Sequence, residues 1–327
     1  ACQIVKKICL DADARLVAKG KSMVSEEMGL NRVLEEAGIE VAETDLGEYI
    51  IQLAGESPSH IIAPAIHKTR EQITELFYKN HNRHGFSERV TRREAIVNEA
   101  RSVLRSVFAR ADVGITGANF LVAETGTSII VTNEGNGDLT QTLPQIHIVL
   151  ASIEKVVPTL IDATALLRVL ARSATGQELS SYTTFSTGPK RATDADGPEE
   201  YHVILLDNGR SGMLGGDYQS MLRCIRCGAC LNHCPVYTAI GGHAYGWVYP
   251  GPMGSVLTPL MQGFDENLDL PNACSLNGAC ETICPVRIPL PDLLRQHRVE
   301  QHRRLLLQIG HHGPLLPGGF VGARGPQ

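Results

Sequence analysis

The sequence predicts an α/β domain with a mainly parallel sheet, followed by a small and mainly helical cysteine-rich domain. Strand-like and helix-like segments alternate over the first two thirds of the 327 residues, which is typical of a layered α/β fold. Seven of the nine cysteines then lie between Cys224 and Cys284. We therefore predict an α/β domain over residues 1–215, a cysteine-rich domain over residues 216–300 and a C-terminal segment over residues 301–327.

Short apolar runs bounded by polar or turn-forming residues predict the strands of the first domain. They lie at residues 15–19, 39–42, 60–63, 113–116, 128–132, 147–157 and 201–207. A polar stretch rich in Gly, Pro and Asp, at residues 186–200, predicts a surface loop before the last strand. Because helical segments separate most of these runs, neighbouring strands are expected to pair in parallel.

Capping signals place the helices between these strands. The helices are predicted over residues 25–37, 69–79, 91–110 and 159–174. Ser25 and the two glutamates after it predict the start of the first helix, and Gly38 predicts its end. Thr91 and Glu94 have the spacing of a capping box, which predicts the start of the long third helix.

The composition argues against several classes of protein. The chain has 30 Lys and Arg against 35 Asp and Glu, a formal net charge of −5, which does not suit a nucleic-acid binder that contacts phosphates. No run of 18 apolar residues occurs, so we predict no transmembrane segment. No basic-then-apolar leader is present, so nothing points to secretion, and the start at Ala1 rather than Met suggests a fragment. From Gly310 the chain is rich in Gly and Pro, and we expect a disordered tail.

The first cysteine group has the spacing of a ferredoxin-type iron–sulfur site. It is Cys224-x2-Cys227-x2-Cys230-x3-Cys234-Pro235. Three closely spaced thiolates can hold one cubane cluster, whereas the cysteine before proline ligates the other cluster in two-cluster proteins. Zinc normally uses two separated pairs of ligands, so this spacing favours an iron–sulfur cluster over zinc.

The second group fits the same template when it is aligned on its Cys-Pro end, with Asn277 in one ligand place. Crossed ligation then predicts two clusters, most simply both 4Fe-4S. The ligands of cluster 1 are Cys224, Cys227, Cys230 and Cys284, and those of cluster 2 are Cys234, Cys274 and Cys280. Cluster 2 could be a 3Fe-4S cluster, or a four-iron cluster whose last iron binds Asn277, water or another group. Alternatively, Asn277 only donates a hydrogen bond to a sulfide.

Motifs in both domains resemble the lactate utilisation protein B family. In the second domain the resemblance rests on LRCIRCGACLNHCPVY, GGHAYGWVYPGP and CSLNGACETICPVRIPL. In the first domain it rests on KSMVSEEMGLN, ETDLGEYIIQLAGE, PSHIIAPAIHK, GITGANFLVAETGT, TNEGNGD and EKVVPTL, which are similar to the LUD (lactate utilisation) domain. The resemblance covers about residues 15 to 300, with the two domains in the same order.

The resemblance implies a cytoplasmic iron–sulfur protein that transfers electrons in the oxidation of L-lactate to pyruvate. It implies two partners, a cysteine-rich iron–sulfur protein and a LUD-only protein, and L-lactate is a candidate ligand. It also implies a first domain similar in fold to the NagB/RpiA/CoA-transferase group, and a chain truncated at both ends. Many members have cysteine at the position of Asn277 and often lack it at position 274, so three thiolates remain there.

Candidate sites in the first domain are less specific. Glycines and hydroxyl residues after strands are typical of anion pockets, so we predict a pocket around Asn119, Glu124 and Asn136. Glu124 is a weak catalytic candidate by analogy with CoA-transferases, although it could simply cap a turn. Four histidines near strand ends are candidate bases, and three cations are candidate carboxylate binders, although a lone histidine is more often structural. They are His60, His67, His147 and His202, and Lys68, Lys155 and Arg210.

Three functions stay open at this point. The first is an electron-transfer subunit of an L-lactate-oxidising complex. In the second, the LUD domain itself binds a ligand or catalyses a reaction, and the clusters are structural or regulatory. The third is a redox sensor that uses the three-thiolate cluster, and it ranks last because no DNA-binding element is visible.

Overall fold

A computed structural model describes residues 1–311 of the chain. The strands are β1 Leu16–Lys19, β2 Glu40–Glu43, β3 Val113–Gly117, β4 Phe120–Val122, β5 Thr127–Thr132, β6 Ile146–Ser152, β7 Val156–Val157, β8 Tyr182–Ser186 and β9 Glu200–Leu206. The helices of the α/β domain are α1 Cys2–Asp11, α2 Met23–Met28, α3 Leu30–Glu35, α4 Leu46–Ala54, α5 Arg70–Asn80, α6 Arg93–Arg110, α7 Asn136–Thr142 and α8 Leu160–Thr175. The cysteine-rich module contains α9 Ala229–Asn232, α10 Pro235–Ile240, α11 Gly251–Gln262, α12 Asp269–Asn272, α13 Ala279–Thr282 and α14 Leu290–His311.

The main sheet has five parallel strands in the order β2-β1-β3-β6-β9. Helices cover both faces of a parallel sheet, so its central strands are mostly apolar, with Lys19, Thr116 and His147 as buried polar exceptions. Val17, Val113, Ile115 and Ile148 on the three central strands have no exposed side-chain surface. Full burial of each such side chain contributes roughly 1.5–3 kcal/mol. The predicted α/β class with a mainly parallel sheet is confirmed.

A second sheet has four strands in the order β7-β4-β5-β8. Its β4–β5 and β5–β8 pairs are antiparallel, and its β4–β7 pair is parallel. The single strand predicted over residues 147–157 is therefore wrong, because a 3-10 turn at Ile153–Lys155 separates β6 from β7 and places them in different sheets. Strand β8 was missed because its side chains are half-buried or exposed, which leaves no apolar run.

Two predicted helix starts are wrong. The helix expected over residues 25–37 is divided at Gly29, whose φ of 64° is left-handed, and the cap of α2 is Ser22, which accepts from the Ser25 N–H. Helix α6 begins at Arg93, so Ala95 and not Glu94 is its third residue, and no capping box closes at Thr91. The boxes at Thr69 and Thr159, in contrast, cap α5 and α8.

The strand predicted over residues 60–63 is also wrong, because this segment is a bend. The His60 imidazole Nδ1 accepts hydrogen bonds from the backbone N–H groups of Ile62 at 3.0 Å and Ala63 at 3.1 Å. Those amides are therefore not free to join a strand ladder. The bend packs His60 and Ile61 against the cysteine-rich module, where His60 Nε2 lies 3.2 Å from Asn232 Oδ1.

The cysteine-rich module packs around helices α11 and α14, with Tyr249, Met253, Leu293 and Leu294 in its core. Helix α14 runs to His311 and includes the basic stretch at residues 295–304, whose arginines are mostly exposed. The remainder of the predicted Gly- and Pro-rich tail, residues 312–327, lies outside the described residues. Among residues 1–311, no helix is both long and apolar enough to span a bilayer.

A buried ion-pair network joins the module to the α/β domain. Arg210 donates to both carboxylate oxygens of Glu27, at 2.8 and 2.6 Å, and the Tyr249 hydroxyl donates to Glu27 at 2.6 Å. Arg210 Nε also lies 2.8 Å from Glu154 Oε2, and Arg226 Nη2 lies 3.2 Å from Glu154 Oε1. Burial alone would raise the pKa of Glu154, but Arg226 and Arg210 lower it to about 2. Since removal of one partner would leave buried charge unpaired, this network fixes the first cysteine loop against the sheet.

Candidate iron–sulfur site

The four cysteines assigned to cluster 1 come together in the structure. Cys224, Cys227, Cys230 and Cys284 line one small internal cavity. Cys224 and Cys227 come from the loop before α9, Cys230 lies in the first turn of α9, and Cys284 comes from the segment after α13. The wall opposite these thiols is apolar and includes Ile61 and Met253. Four convergent thiols in an apolar enclosure suit a cluster that must be kept from water.

The two cysteine loops follow the same backbone path. Arg226 and Leu276, each two residues after the first cysteine of its loop, have left-handed φ angles of 60° and 56°. Gly228 and Gly278, two residues further on, have φ angles of 75° and 82°, and each precedes a four-residue helix. Left-handed backbone at a non-glycine residue carries strain of order 1–3 kcal/mol. The loops therefore wrap their cysteines in equivalent ways, and position 277 corresponds to position 227.

The thiols of Cys234, Cys274 and Cys280 form the second group. Burial and, to a smaller extent, the like charge of the nearby Cys274 and Cys234 raise the pKa of the Cys280 thiol to about 11. Burial, with a smaller effect of the like charges of Cys224 and Cys284, also raises the pKa of the Cys227 thiol to about 11. For these two thiols the neighbouring cysteines belong to the same predicted group, whereas the pKa of Cys230 is raised by Cys224 and Cys227 of its own group and also by Cys280 of the other. Iron binds thiolate, so assembly of each cluster must release protons from buried thiols.

Backbone N–H groups point at three of the sulfurs. Tyr237 N–H donates to Cys234 Sγ at 3.4 Å, and Leu276 N–H donates to Cys274 Sγ at 3.4 Å. Ile288 N–H donates to Cys284 Sγ, also at 3.4 Å. Donors aimed at ligand sulfurs stabilise negative charge there and tune the reduction potential of a bound cluster.

Asn277, the proposed fourth ligand of cluster 2, is exposed and has a local partner. Its Oδ1 accepts from the Ala279 N–H at 3.2 Å, at the start of α13. An asparagine in this position stabilises the turn without any metal. The geometry therefore favours a role for Asn277 in the turn, and three thiols remain the strong donors of the second group.

Positive charge surrounds the backbone of both loops. Lys155 Nζ donates to the Cys224 carbonyl at 3.2 Å, and Arg298 Nη2 donates to the Cys274 carbonyl at 2.5 Å. The Arg226 guanidinium stacks over the Tyr249 ring at 4.2 Å from its centroid. Its Nη1 is buried without a hydrogen-bond partner among the described residues. Cations at this depth suit a site whose thiolates and cluster carry negative charge.

A larger cavity of about 510 Å³ lies between the α/β domain and the module. Four residues in its wall follow the carboxyl ends of parallel strands, the edge where open α/β sheets bind ligands. They are Lys21 after β1, Asp45 after β2, Asn119 after β3 and Lys155 after β6. Arg226 and Tyr249 of the module close the cavity from the other side.

Of the predicted pocket residues, only Asn119 lines this cavity. Its Oδ1 accepts from the Val131 N–H at 2.9 Å. Glu124 is exposed and accepts from the Leu160 N–H at 2.9 Å, as a capping residue of α8. Asn136 is buried in the first turn of α7 and does not line the cavity. Lys155 does line it, whereas Arg210 belongs to the interdomain ion-pair network.

The candidate histidines have separate structural environments. His147 is buried and bonds Thr116 Oγ1, and His202 pairs with exposed Glu200. His67 bonds Ser59 and Glu56, and Glu56 also pairs with Lys68. The structure brings none of the four histidines to the wall of the large cavity.

Sequence reasoning missed Arg226, Tyr249 and Ser152, which line the large cavity. Arg226 carried a signal, because it is a charged residue between two close cysteines. Ser152 ends the strongly apolar strand β6 and Lys155 follows it, the position where α/β proteins place binding residues. Tyr249 carried no local signal, because its partner Glu27 is 222 residues away in sequence.

The α/β domain and the cysteine-rich module each match a known protein domain family. The sequence profile of the LUD domain matches residues 1–206, and that of a 4Fe-4S dicluster domain matches residues 220–288. The chain is 50% identical over 298 residues to "Uncharacterized electron transport protein YkgF" of Escherichia coli (strain K12), with 91% of this chain and 62% of that protein covered.

Two further relatives carry the name "Lactate utilization protein B". Identity is 50% over 299 residues with the protein of Bacillus velezensis and 48% over 299 residues with that of Bacillus subtilis (strain 168). Each comparison covers 91% of this chain and 62% of the relative, so the chain spans about three fifths of their length. The chain belongs to the LUD domain family, and its LUD domain is followed by a 4Fe-4S dicluster domain.

Proposed function

We propose that this chain is the iron–sulfur electron-transfer component of a complex that oxidises L-lactate to pyruvate. The observation that carries the proposal is the pair of cysteine groups in one module, in a chain about half identical to proteins named for lactate utilization and electron transport. Oxidation of L-lactate to pyruvate releases two electrons and two protons. When bound, two clusters would each accept and release one electron.

The ligands of cluster 1 in this proposal are Cys224, Cys227, Cys230 and Cys284, and those of cluster 2 are Cys234, Cys274 and Cys280. The donor set supports a 4Fe-4S cluster in the first site. In the second site we propose a 4Fe-4S cluster with one iron not bound by thiolate, and a 3Fe-4S cluster is the alternative. The chain's own residues hold the thiolates, donate N–H groups to sulfur and exclude water with apolar side chains.

The proposal includes partners and a location. We infer that the chain works in the cytoplasm with a second cysteine-rich iron–sulfur protein and a LUD-only protein. One of the partners, or the part of the relatives that this chain does not span, would supply the group that takes electrons from L-lactate. The relatives' printed names, which refer to electron transport and lactate utilization, support the electron-transfer role in this proposal.

The test is lactate-dependent reduction of the clusters. The chain would be purified anaerobically with the two partners, L-lactate added, and cluster reduction followed by EPR. A Cys224→Ser variant should lose the cluster 1 signal and lactate-dependent electron transfer. Cys2→Ser is the matched control, because Cys2 lies outside the module and its thiol bonds the Met28 carbonyl, which a hydroxyl can replace. Unchanged electron transfer in Cys224→Ser would contradict the proposal.

A second candidate function is supported by the large interdomain cavity. In this reading the LUD domain itself binds a ligand or catalyses a reaction, and the clusters have a structural or redox-sensing role. The cavity lies at the carboxyl edge of the sheet, where α/β enzymes bind substrates. Turnover that persists in Cys224→Ser with the fold intact would favour this second function.

A further inference from the structure

We propose that the cavity between the LUD domain and the cysteine-rich module binds an organic anion with an apolar body. Its anionic group, a carboxylate or a phosphate, would lie beside Lys155 and Arg226. The proposal rests on the proposed function only for its position next to cluster 1. Binding itself requires no lactate oxidation.

The anionic end is indicated by two cations, buried Lys155 and largely buried Arg226, that protein groups leave incompletely paired. Lys155 is 6% exposed, and its Nζ bonds one carbonyl, that of Cys224, with no carboxylate within 4.0 Å in the described part of the chain. The Nη2 atom of Arg226 pairs with Glu154, whereas its Nη1 atom has no hydrogen-bond partner in the described part of the chain. Ser152, 1% exposed, lies beside Glu154, and its hydroxyl makes no hydrogen bond of good geometry among residues 1–311. Buried donors of this kind normally have acceptors.

The other walls of the cavity are largely apolar, although Lys21, Asp45, Asn119 and Glu134 also line them. They are formed by Ile50, Ile61, Ile62, Leu150, Leu170 and Ala174, among others. These residues come from helices α4 and α8, from the bend after α4 and from strand β6. A cavity with apolar walls and a few convergent polar groups is the usual form of a small-molecule site.

The size of the cavity distinguishes between ligands. Its volume of about 510 Å³ lies within the range of roughly 300–1,000 Å³ for small-molecule and cofactor sites. L-lactate has three carbons and would leave most of the apolar wall without contact. The cavity therefore suits a ligand with a larger carbon or aromatic skeleton, anchored by one anionic group.

The cavity adjoins the first cysteine loop, so a bound ligand could influence cluster 1. Arg226 lies between Cys224 and Cys227 in the loop of cluster 1, so a ligand bound to its guanidinium contacts that loop. Removal or addition of negative charge at this point would change the field at the cluster. Ligand binding and the properties of cluster 1 are thus physically coupled.

The experiment uses the anaerobically reconstituted chain and two probes, flavin mononucleotide and octanoate. The first is an aromatic phosphate and the second an aliphatic carboxylate, so the two arms identify the source of the anion. Titration calorimetry should show one site per chain for at least one probe. Ala174→Leu, which fills the cavity, and Lys155→Met, which removes the cation, should each weaken binding at least tenfold.

Ala165→Leu is the matched control, because Ala165 lies on the same helix, is exposed and does not line the cavity. It should bind the probe as the unmodified chain does. Iron content should be unchanged in Ala174→Leu, which shows that the variant acts on the cavity and not on the clusters. No binding of either probe at 1 mM, or equal binding by Ala174→Leu and Ala165→Leu, would overturn the proposal. These outcomes leave lactate-dependent cluster reduction untouched, so the two proposals fail separately.

Discussion

The buried His147 makes stability depend on pH in a measurable way. Its Nε2 bonds Thr116 Oγ1 at 2.8 Å, and its Nδ1 is buried without a partner in the described residues. Burial lowers the pKa of His147 from 6.5 to about 3. His147 of the unfolded chain therefore binds a proton at pH values where His147 of the folded chain does not. Its contribution to the free energy of unfolding is complete above pH 6.5 and is lost as the pH falls toward 3.

The magnitude follows from the two pKa values. Each pH unit between them costs about 1.4 kcal/mol. Between pH 7 and pH 5 the contribution of His147 to the free energy of unfolding should therefore fall by about 2 kcal/mol. His147→Gln retains a hydrogen-bonding group toward Thr116 and removes the titration. The stability advantage of the unmodified chain over this variant should shrink by that amount at pH 5.

The assay is anaerobic urea unfolding followed by far-ultraviolet circular dichroism at pH 7 and pH 5. Other histidines titrate in the same range, so the informative quantity is the difference between the chain and His147→Gln. His202→Gln, on the neighbouring strand and half-exposed, controls for the loss of one histidine. A difference that stays the same within about 0.5 kcal/mol at both pH values would refute the reasoning.

Three further predictions concern the module and its contact with the LUD domain. Glu154→Gln leaves Arg226 without a charged partner and should lower the free energy of unfolding by about 3–5 kcal/mol at pH 7, measured from urea unfolding by Trp247 fluorescence. Asn277→Cys supplies a fourth thiolate to cluster 2 and should keep iron content at about eight per chain after mild oxidation, whereas the unmodified chain, with one iron of cluster 2 not bound by thiolate, should fall toward seven; equal iron loss and an unchanged EPR signal would show that position 277 is not at the cluster. Gly242→Ala would place a Cβ 1.7 Å from the Ser59 carbonyl oxygen and should cost about 1–3 kcal/mol, whereas Gly216→Ala, with its nearest contact at 3.7 Å, should be neutral in the same unfolding assay.

The cysteine motifs could be predicted from the sequence because cluster ligation is a local property. The spacing of the first cysteine group and the Cys-Pro end of the second group each lie within a short segment of the sequence, so both can be recognised without knowledge of distant contacts. The correspondence of Asn277 with Cys227 also came from spacing, and the φ angles of the two loops repeat in the same register. Only the hydrogen bond from Ala279 to Asn277, which depends on the conformation of the turn, required the structure.

The errors in the fold arose where a distant contact or one backbone angle decided the outcome. The bend at His60 looks like a strand in sequence, but its imidazole takes the N–H groups that a strand would use. The break at Gly29 depends on a left-handed φ that glycine allows but does not require. Strand β8 pairs with β5 across about fifty residues and carries no apolar run of its own.

The cavity residues were predicted least well, because the cavity is formed by two domains. Asn119 and Lys155 follow strands and were candidates from the sequence alone. Arg226 and Tyr249 reach the cavity only when the module packs against the sheet, through ion pairs and hydrogen bonds to Glu154 and Glu27. A pattern along the chain does not reveal contacts between residues so far apart.

The central claim, that seven thiolates hold two iron–sulfur clusters, is tested most directly by metal and sulfide analysis with EPR on the anaerobically reconstituted chain. We predict about seven or eight irons per chain, a matching amount of acid-labile sulfide, and EPR signals from two clusters over the accessible redox states. Stoichiometric zinc with no EPR signal on reduction would contradict it.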